Sequence, residues 1–410
     1  MTDLVQQPSA GDVTSEPARG GMADHFRDYV RRVRLGDLGS LPIIVGLVFI
    51  AVIFQSQNSA FLSSRNFVNL VVQMAGLTTI AIGVVFVLLL GEIDLSVGYV
   101  SATASVILAR LLLNDWPWYV AVAVGVCVAL VIGLVQGLII SKAGVPSFVV
   151  TLAGFLVWNG VVLIIIGGLG TVVIQDRTIV GVANTFLPAA VGYAVAAVLV
   201  AGYAAVLVLR ARSRARDGLP TAPMSLLGLR IAGLAVLGLG AVYAANLSRG
   251  VPLVGVLVML LLVGWSFVAN RTRFGRHVYA VGGNAEAARR AGINVDRIRV
   301  AVFMISSTMA ALGGIVLASR LRSVDTAAGG GNLLLNSIAA AVIGGTSLFG
   351  GRGKVSNALL GALVIASVDN GMGLLGLSSG AKFVVTGLVL LAAVVVDSFS
   401  RRGRSQRGLA

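Results

Sequence analysis

The sequence predicts an all-α protein, a polytopic transmembrane helix bundle of about 10–12 spans, each taking roughly 20 apolar residues. Three observations predict it. Of 410 residues, 57% are hydrophobic and only 11% are charged, where a soluble chain carries about a quarter charged residues. The mean hydropathy is +0.96, so polar side chains cannot cover a water-facing surface. The apolar residues run in long blocks without alternation, which favours helices over the alternating strands of a membrane barrel. The same composition excludes disorder for most of the length. The 52 glycines have no three-residue period, which excludes collagen.

Residues 1–40 are polar and read as a cytosolic disordered tail. They hold no apolar core of the kind a cleaved secretory signal needs. The tail ends in the basic cluster Arg27, Arg31, Arg32 and Arg34, beside the first apolar run. A transmembrane domain is expected over 41–397. Its spans are expected at 40–55, 67–90, 98–113, 119–140, 147–168, 186–209, 229–246, 251–269, 300–319, 333–349, 356–376 and 381–397. Residues 398–410 form a basic cytosolic tail.

Twelve spans put both termini on one side of the bilayer. That side then receives 141–146, 210–228, 270–299 and 350–355, with 24 Lys and Arg against 7 on the other side. Basic residues stay inside, so both termini are expected in the cytosol, with lipid around the spans. The net charge of +15 is therefore read as orientation, and no nucleic-acid partner is expected. Cys127 is the single cysteine and forms no internal disulfide.

The glycines have a use in such a bundle. Lipid supplies no hydrophobic drive between helices, so close backbone approach does that work. Gly133-Leu-Val-Gln-Gly137 is a face of that kind.

Candidate chemistry is sparse. His25 and His277 are the only histidines, so no clustered metal ligands and no cofactor site are read. Gly353-Lys354 superficially resembles a phosphate loop, but Leu348 and Val355 stand where that motif needs Gly and Ser or Thr. No catalytic residue is assigned. The acids in or beside apolar runs are Glu92, Asp94 and Asp369, and an intramembrane charge is usually kept for a site or a pair. Glu92 and Asp94 lie in Gly91-Glu-Ile-Asp-Leu-Ser-Val-Gly98. This octet fits a short cytosolic turn, or an interrupted helix facing a cavity; composition weighs the two alike. Asp369 and Asn370 fit a polar path or an interhelical hydrogen bond. Gln73, Thr78, Thr151, Asn159, Asn336 and Thr346 add amides and hydroxyls suited to a small polar solute such as a sugar, and Phe148 and Trp158 add aromatic faces.

The loop 270–299 contains a short helix. Asn284 is a suitable N-cap, Ala285 to Ala291 are strong helix formers, and Gly292 is a natural stop. It reads either as a solvated basic loop or as a docking helix that meets a cytosolic partner.

Four ordered motifs now carry a resemblance. They are Gly91-Glu-Ile-Asp-Leu-Ser-Val-Gly98, Gly144-Val-Pro-Ser-Phe-Val-Val-Thr-Leu152, Gly283-Asn-Ala-Glu-Ala-Ala-Arg-Arg-Ala-Gly-Ile293 and Ala341-Val-Ile-Gly-Gly-Thr-Ser-Leu-Phe-Gly-Gly-Arg-Gly353. Over about 60–395 the chain resembles the permease subunits of ATP-binding-cassette importers for simple sugars, in the superfamily that includes branched-chain amino acid permeases. The material around 186–246 and the Val368-Asp-Asn-Gly-Met372 stretch resemble the longer, xylose-type branch. Glu92 departs from the pattern, standing where many relatives have Gly.

The resemblance implies a bacterial plasma-membrane subunit that moves a simple sugar, a pentose such as xylose, into the cytosol. It implies a cytosolic ATPase on another polypeptide, an extracytoplasmic sugar-binding protein and a second permease copy in a homodimer. Gln73, Glu92, Asp94, Phe148, Thr151, Asn159, Asn336, Thr346, Asp369 and Asn370 would line the substrate pathway. Asn284, Glu286, Ala287, Ala288, Arg289 and Gly292 would couple to the ATPase. Other readings are an ion-coupled secondary carrier using Asp369 or Glu92, an importer for a nucleoside or branched-chain amino acid, and a membrane-embedded enzyme or scaffold, for which no clustered reactive groups are seen.

Overall fold

The computed structural model describes residues 41–219, 223–388 and 391. The tail 1–40, the tail 398–410 and the end of the last expected span lie outside the described residues. Helix α1 is Leu41–Gln57 and α2 is Ser64–Leu89. Next come α3 (Val97–Leu113), α4 (Trp118–Lys142) and α5 (Ser147–Ile166). The short α6 (Arg177–Asn184) precedes the long α7 (Ala189–Arg216) and α8 (Met224–Asn246). Then α9 (Leu253–Arg271), α10 (Arg273–Gly283) and α11 (Ala285–Arg290) lead into α12 (Val295–Leu321). Helices α13 (Leu333–Ile343) and α14 (Asn357–Leu374) follow, and residues 379–388 are helical. Among the described residues, eight helices are long and apolar enough to cross a bilayer, and α1, α3 and α13 are shorter apolar helices.

Local chemistry sets the boundaries. The Ser63 hydroxyl accepts from the Asn66 backbone N–H and starts α2. Pro117 and Pro146 stand just before α4 and α5, where a missing N–H costs nothing. The Asn294 side chain accepts from Arg297 N–H and starts α12. A two-stranded antiparallel ladder pairs β1 (Thr171–Val173) with a strand at Ser323–Asp325, and another pairs Phe186–Leu187 with Val251–Pro252.

Every expected span meets a helix, but α7 runs seven residues past its expected end and α8 and α12 start five residues before theirs; two further differences have a visible cause. The run 333–349 is helical only to Ile343, because Gly344 caps the helix and Gly345, at φ 98°, turns the chain away. Eleven residues rise roughly 16 Å, about half of a hydrocarbon core. The run 186–209 becomes helical only from Ala189, because Phe186 and Leu187 are spent on a strand.

The chain divides into two compact units. One holds Ala190–Val242, which carries most of α7 and α8, both exposed along most of their length. The other holds Leu38–Ala189 and Tyr243–Ala410. Its centre is α2 and α12, which pack on each other, while α12 also packs on α4 and α3. Phe86, Phe303, Ile80, Leu88 and Met309 are fully buried there. Small residues let the backbones meet, as the sequence motif requires. A Cβ on Gly133 would stand 2.5 Å from the Phe303 carbonyl oxygen, and one on Gly137 would stand 2.7 Å from Val300 Cα. By contrast α5 leaves Phe148, Leu152, Leu156, Val157 and Ile164 exposed.

Candidate functional site

The octet 91–98 is a break between two buried helices. Gly91 sits at φ 77°, a conformation that costs a side chain but not glycine, and lets the chain leave α2. Asp94 is 2% exposed and Ser96 fully buried. The Asp94 carboxylate accepts from the Ser96 backbone N–H at 2.9 Å, the Ser96 hydroxyl at 2.7 Å and the Ser306 hydroxyl of α12 at 2.8 Å. The Gln136 amide of α4 donates to Ser96 Oγ at 3.1 Å. Helix α5 holds the backbone of the break. The Ile93 N–H donates to Ser147 Oγ at 3.2 Å, and Thr151 Oγ1 donates to the Ile93 carbonyl at 3.3 Å and to the Ser147 carbonyl at 2.8 Å. Burying a carboxylate is costly unless donors replace its water. Here three do, supplied by the break itself and by α12.

Two residues earlier, Glu92 Oε1 lies 3.0 Å from Nε of Arg299, on the second turn of α12. The break therefore has two carboxylates with different surroundings, one met by hydroxyls and one by a guanidinium.

A second polar group sits at the opposite end of α2. Asn370 on α14 is buried. Its side-chain amide donates to Gln73 Oε1 at 3.0 Å, and its Oδ1 accepts from Asn66 Nδ2 at 2.7 Å. Asn66 Nδ2 also donates to the Phe61 carbonyl at 2.8 Å. Asp369 is exposed, within electrostatic reach of Arg320 at the end of α12.

The expected pathway residues thus fall into two clusters and a remainder. Glu92, Asp94 and Thr151 meet at the break, and Gln73 and Asn370 meet at the far end. Thr346 is buried beside Gly353, and its hydroxyl has no hydrogen-bond partner among the described residues. Asn336 on α13 keeps a buried Oδ1 that is likewise unpartnered. Asn159 is half-buried on α5 and joins neither cluster, and Phe148 is 52% exposed. Ser96, Gln136, Arg299, Ser306 and Asn66 belong to the clusters but are missing from the sequence expectation. Gln136 had a signal, a lone amide between Gly133 and Gly137 in an apolar helix. Arg299 and Ser306 had none, because their partners lie over 200 residues away.

The loop 270–299 is mostly helix. Asn284 caps α11, its Oδ1 accepting from Ala287 N–H at 2.9 Å. Glu286, Ala287 and Arg289 are exposed, and Glu286 pairs with Arg289 at 3.3 Å and Arg290 at 3.2 Å. Ala288 is buried against the core. Gly292, at φ 83°, ends the segment in open space. A six-residue helix is too short to persist alone, so the contacts of Ala288 and the two flanking helices hold it.

Preceding it, α10 is pressed into the body. A Cβ on Gly282 would overlap the Leu89 carbonyl oxygen at the end of α2. The Gly351 N–H donates to that same oxygen at 2.9 Å. The Tyr279 hydroxyl donates to the Gly353 carbonyl at 2.8 Å. Burial pushes the Tyr279 phenol up from its ordinary value, so it keeps the proton it donates. Among the described residues no group of three or more His, Cys, Asp or Glu is placed to hold a metal.

Comparison with known proteins adds an independent line. The family described as "Branched-chain amino acid transport system / permease component" matches residues 66–394. The chain is 39% identical over 366 residues to the xylose transport system permease protein XylH of Escherichia coli K12, covering 88% of this chain and 92% of that protein. It is 35% identical over 370 residues to XylH of Haemophilus influenzae, covering 88% and 98%. It is 31% identical over 362 residues to the ribose import permease protein RbsC of Bacillus subtilis, covering 88% and 94%. No solved structure gives a significant match.

Proposed function

The chain belongs to the family of permease components of branched-chain amino acid transport systems, and from that premise we propose that it is the membrane permease of an ATP-binding-cassette importer for a simple sugar, a pentose such as xylose. The observation that carries the reading is the near full-length identity to xylose permeases, 39% and 35%, above the 31% to a ribose permease. The polar residues inside the bundle support it. Gln73, Asn336, Thr346 and Asn370 offer amides and hydroxyls that suit a sugar's hydroxyls, and the buried Asp94 carboxylate is already held by donors, so it presents no free charge to a neutral solute.

The chain hydrolyses nothing itself on this reading. ATP is hydrolysed by a separate cytosolic subunit, and an extracytoplasmic binding protein delivers the sugar. Two copies of the chain form the gate in a bacterial plasma membrane, with both termini cytosolic. The basic bias of one set of loops supports that orientation. Exposed α11, with Asn284, Glu286, Ala287, Arg289 and Gly292, is the segment that docks into the ATPase. ATP couples to transport only through contacts that differ between inward-open and outward-open states.

The test is labelled-sugar uptake in cells stripped of their own pentose transport, supplied with this chain together with a xylose-importer ATPase and a xylose-binding protein. Xylose enters and is displaced by unlabelled xylose rather than by leucine or adenosine. Uptake of leucine or adenosine instead, or uptake that survives ATP depletion and collapses with an uncoupler, contradicts the reading.

A further inference from the structure

We propose that the Glu92–Arg299 ion pair is a transmission contact, binding the break between α2 and α3 to the helix that follows the ATPase-docking segment. The proposal rests on the coupling reading of α11 given above. Glu92 and Arg299 are only 15% and 28% exposed, and their charged atoms are 3.0 Å apart. An exposed pair of this kind contributes little. A mostly buried pair behaves differently, because removing one partner strands the other charge. Glu92 is therefore tied to α12, and its carboxylate has a partner other than substrate.

The surroundings say what the tie does. Helix α12 starts at Val295, a few residues after α11 ends at Arg290. Arg299 and Ser306 are seven residues apart on α12, two helical turns, and so share a face. Arg299 takes Glu92 and Ser306 takes Asp94. One helix thus grips both carboxylates of one break at two heights. The helix on the other side of α11 grips the same place. A Cβ on Gly350 would stand 2.6 Å from the Gly282 carbonyl oxygen of α10 and 2.9 Å from Gly91 N. No side chain intervenes between α10, the 350–351 turn and the start of the break. A displacement of α11 reaches the break through backbone contact from α10 and through paired charge from α12. Glu92 and Arg299 are positioning residues in this device, acting on the gate through the break.

The experiment uses the whole assembly in liposomes, with the ATPase docked on the permease and binding protein added. It measures ATP hydrolysed per sugar imported. Glu92→Gln and Arg299→Met each raise ATP per sugar about tenfold, the size of an ordinary coupling free energy. A contact between the two also requires non-additivity, so the double variant is no worse than either single. Should the neutral variants fail to assemble, the charge-swapped Glu92→Arg/Arg299→Glu protein assembles and imports. Unchanged stoichiometry in both singles, multiplied losses in the double, or failure of the swapped pair alongside the singles overturns the proposal. A wild-type assembly that imports no sugar overturns the transport reading as well. One that imports while every variant stays coupled overturns this inference alone.

Discussion

Asp94 shows what a single polar side chain does in this bundle. Its carboxylate is the common acceptor for the Ser96 and Ser306 hydroxyls. Asp94→Ala strands the Ser306 hydroxyl, while Ser96 keeps the Gln136 side chain, and an unsatisfied buried polar group costs about 1–3 kcal/mol. The solubilised variant is expected to melt well below wild type, with Asp94→Asn between them; equal melting of all three contradicts the clamp. Tyr279 gives a second case, with a pH sign. Its phenol pKa is raised by burial, so its contribution is complete below the unfolded value near 10 and fades as pH rises through the raised one. Tyr279→Phe is expected to lower melting by the same amount at about pH 6 and about pH 8; a loss at one pH alone contradicts that. The sequence exposed Asp94 and Glu92 because charge is rare between apolar runs. It hid Ser306 and Arg299, since a hydroxyl or a loop-edge arginine is unremarkable until folding brings a partner to it across more than 200 residues.

At the scale of elements, two glycines act for opposite reasons. Gly137 matters for space, since a Cβ would meet Val300 Cα at 2.7 Å. Gly137→Leu forces α4 from α12, and overpacking costs about 1–3 kcal/mol or more, so assembly yield and melting temperature fall. Gly292 matters for conformation, with φ 83° and nothing within 4 Å of an added Cβ. A left-handed residue other than glycine costs about 1–2 kcal/mol, and here the cost falls on one exposed turn. Gly292→Val is therefore expected to insert and assemble at wild-type yield while ATPase activity loses its stimulation by loaded binding protein. Retained stimulation and sugar uptake would remove α11 from the coupling path. The α11 helix was legible because Asn284 and Gly292 bracket a run of helix formers, a purely local signal. The early end of α13 was not. Gly344 and Gly345 sit in an apolar stretch, and a hydropathy reading runs straight through them. The two short ladders and α6 were equally invisible, since pairs such as Thr171 with Asp325 are set by distant sequence.

At the scale of the whole molecule, the positions of the long helices follow from composition, because about 20 apolar residues span a bilayer wherever they occur. Which of them are central does not. Helices α2 and α7 have the same mean hydropathy of 2.2 over their most apolar windows, yet that window is 78% buried in α2 and 11% buried in α7. What separates them in the sequence is the amides of α2 and where its glycines fall, since α7 is the richer of the two in small residues. Gly76 and Gly83 let α2 meet α12, and Asn66 and Gln73 bond to α14. Polar clusters sit at both ends of α2 and exposed α11 lies at one of them; on the proposed reading the molecule is a gate that a separate motor works through α11. Liposomes holding this chain, the ATPase and nothing else, then given loaded binding protein and internal ATP, measure that directly. Xylose accumulates only when all three proteins and ATP are present, and the chain alone leaves the lumen empty. Accumulation by the chain alone, driven by a proton or sodium gradient, would contradict the account.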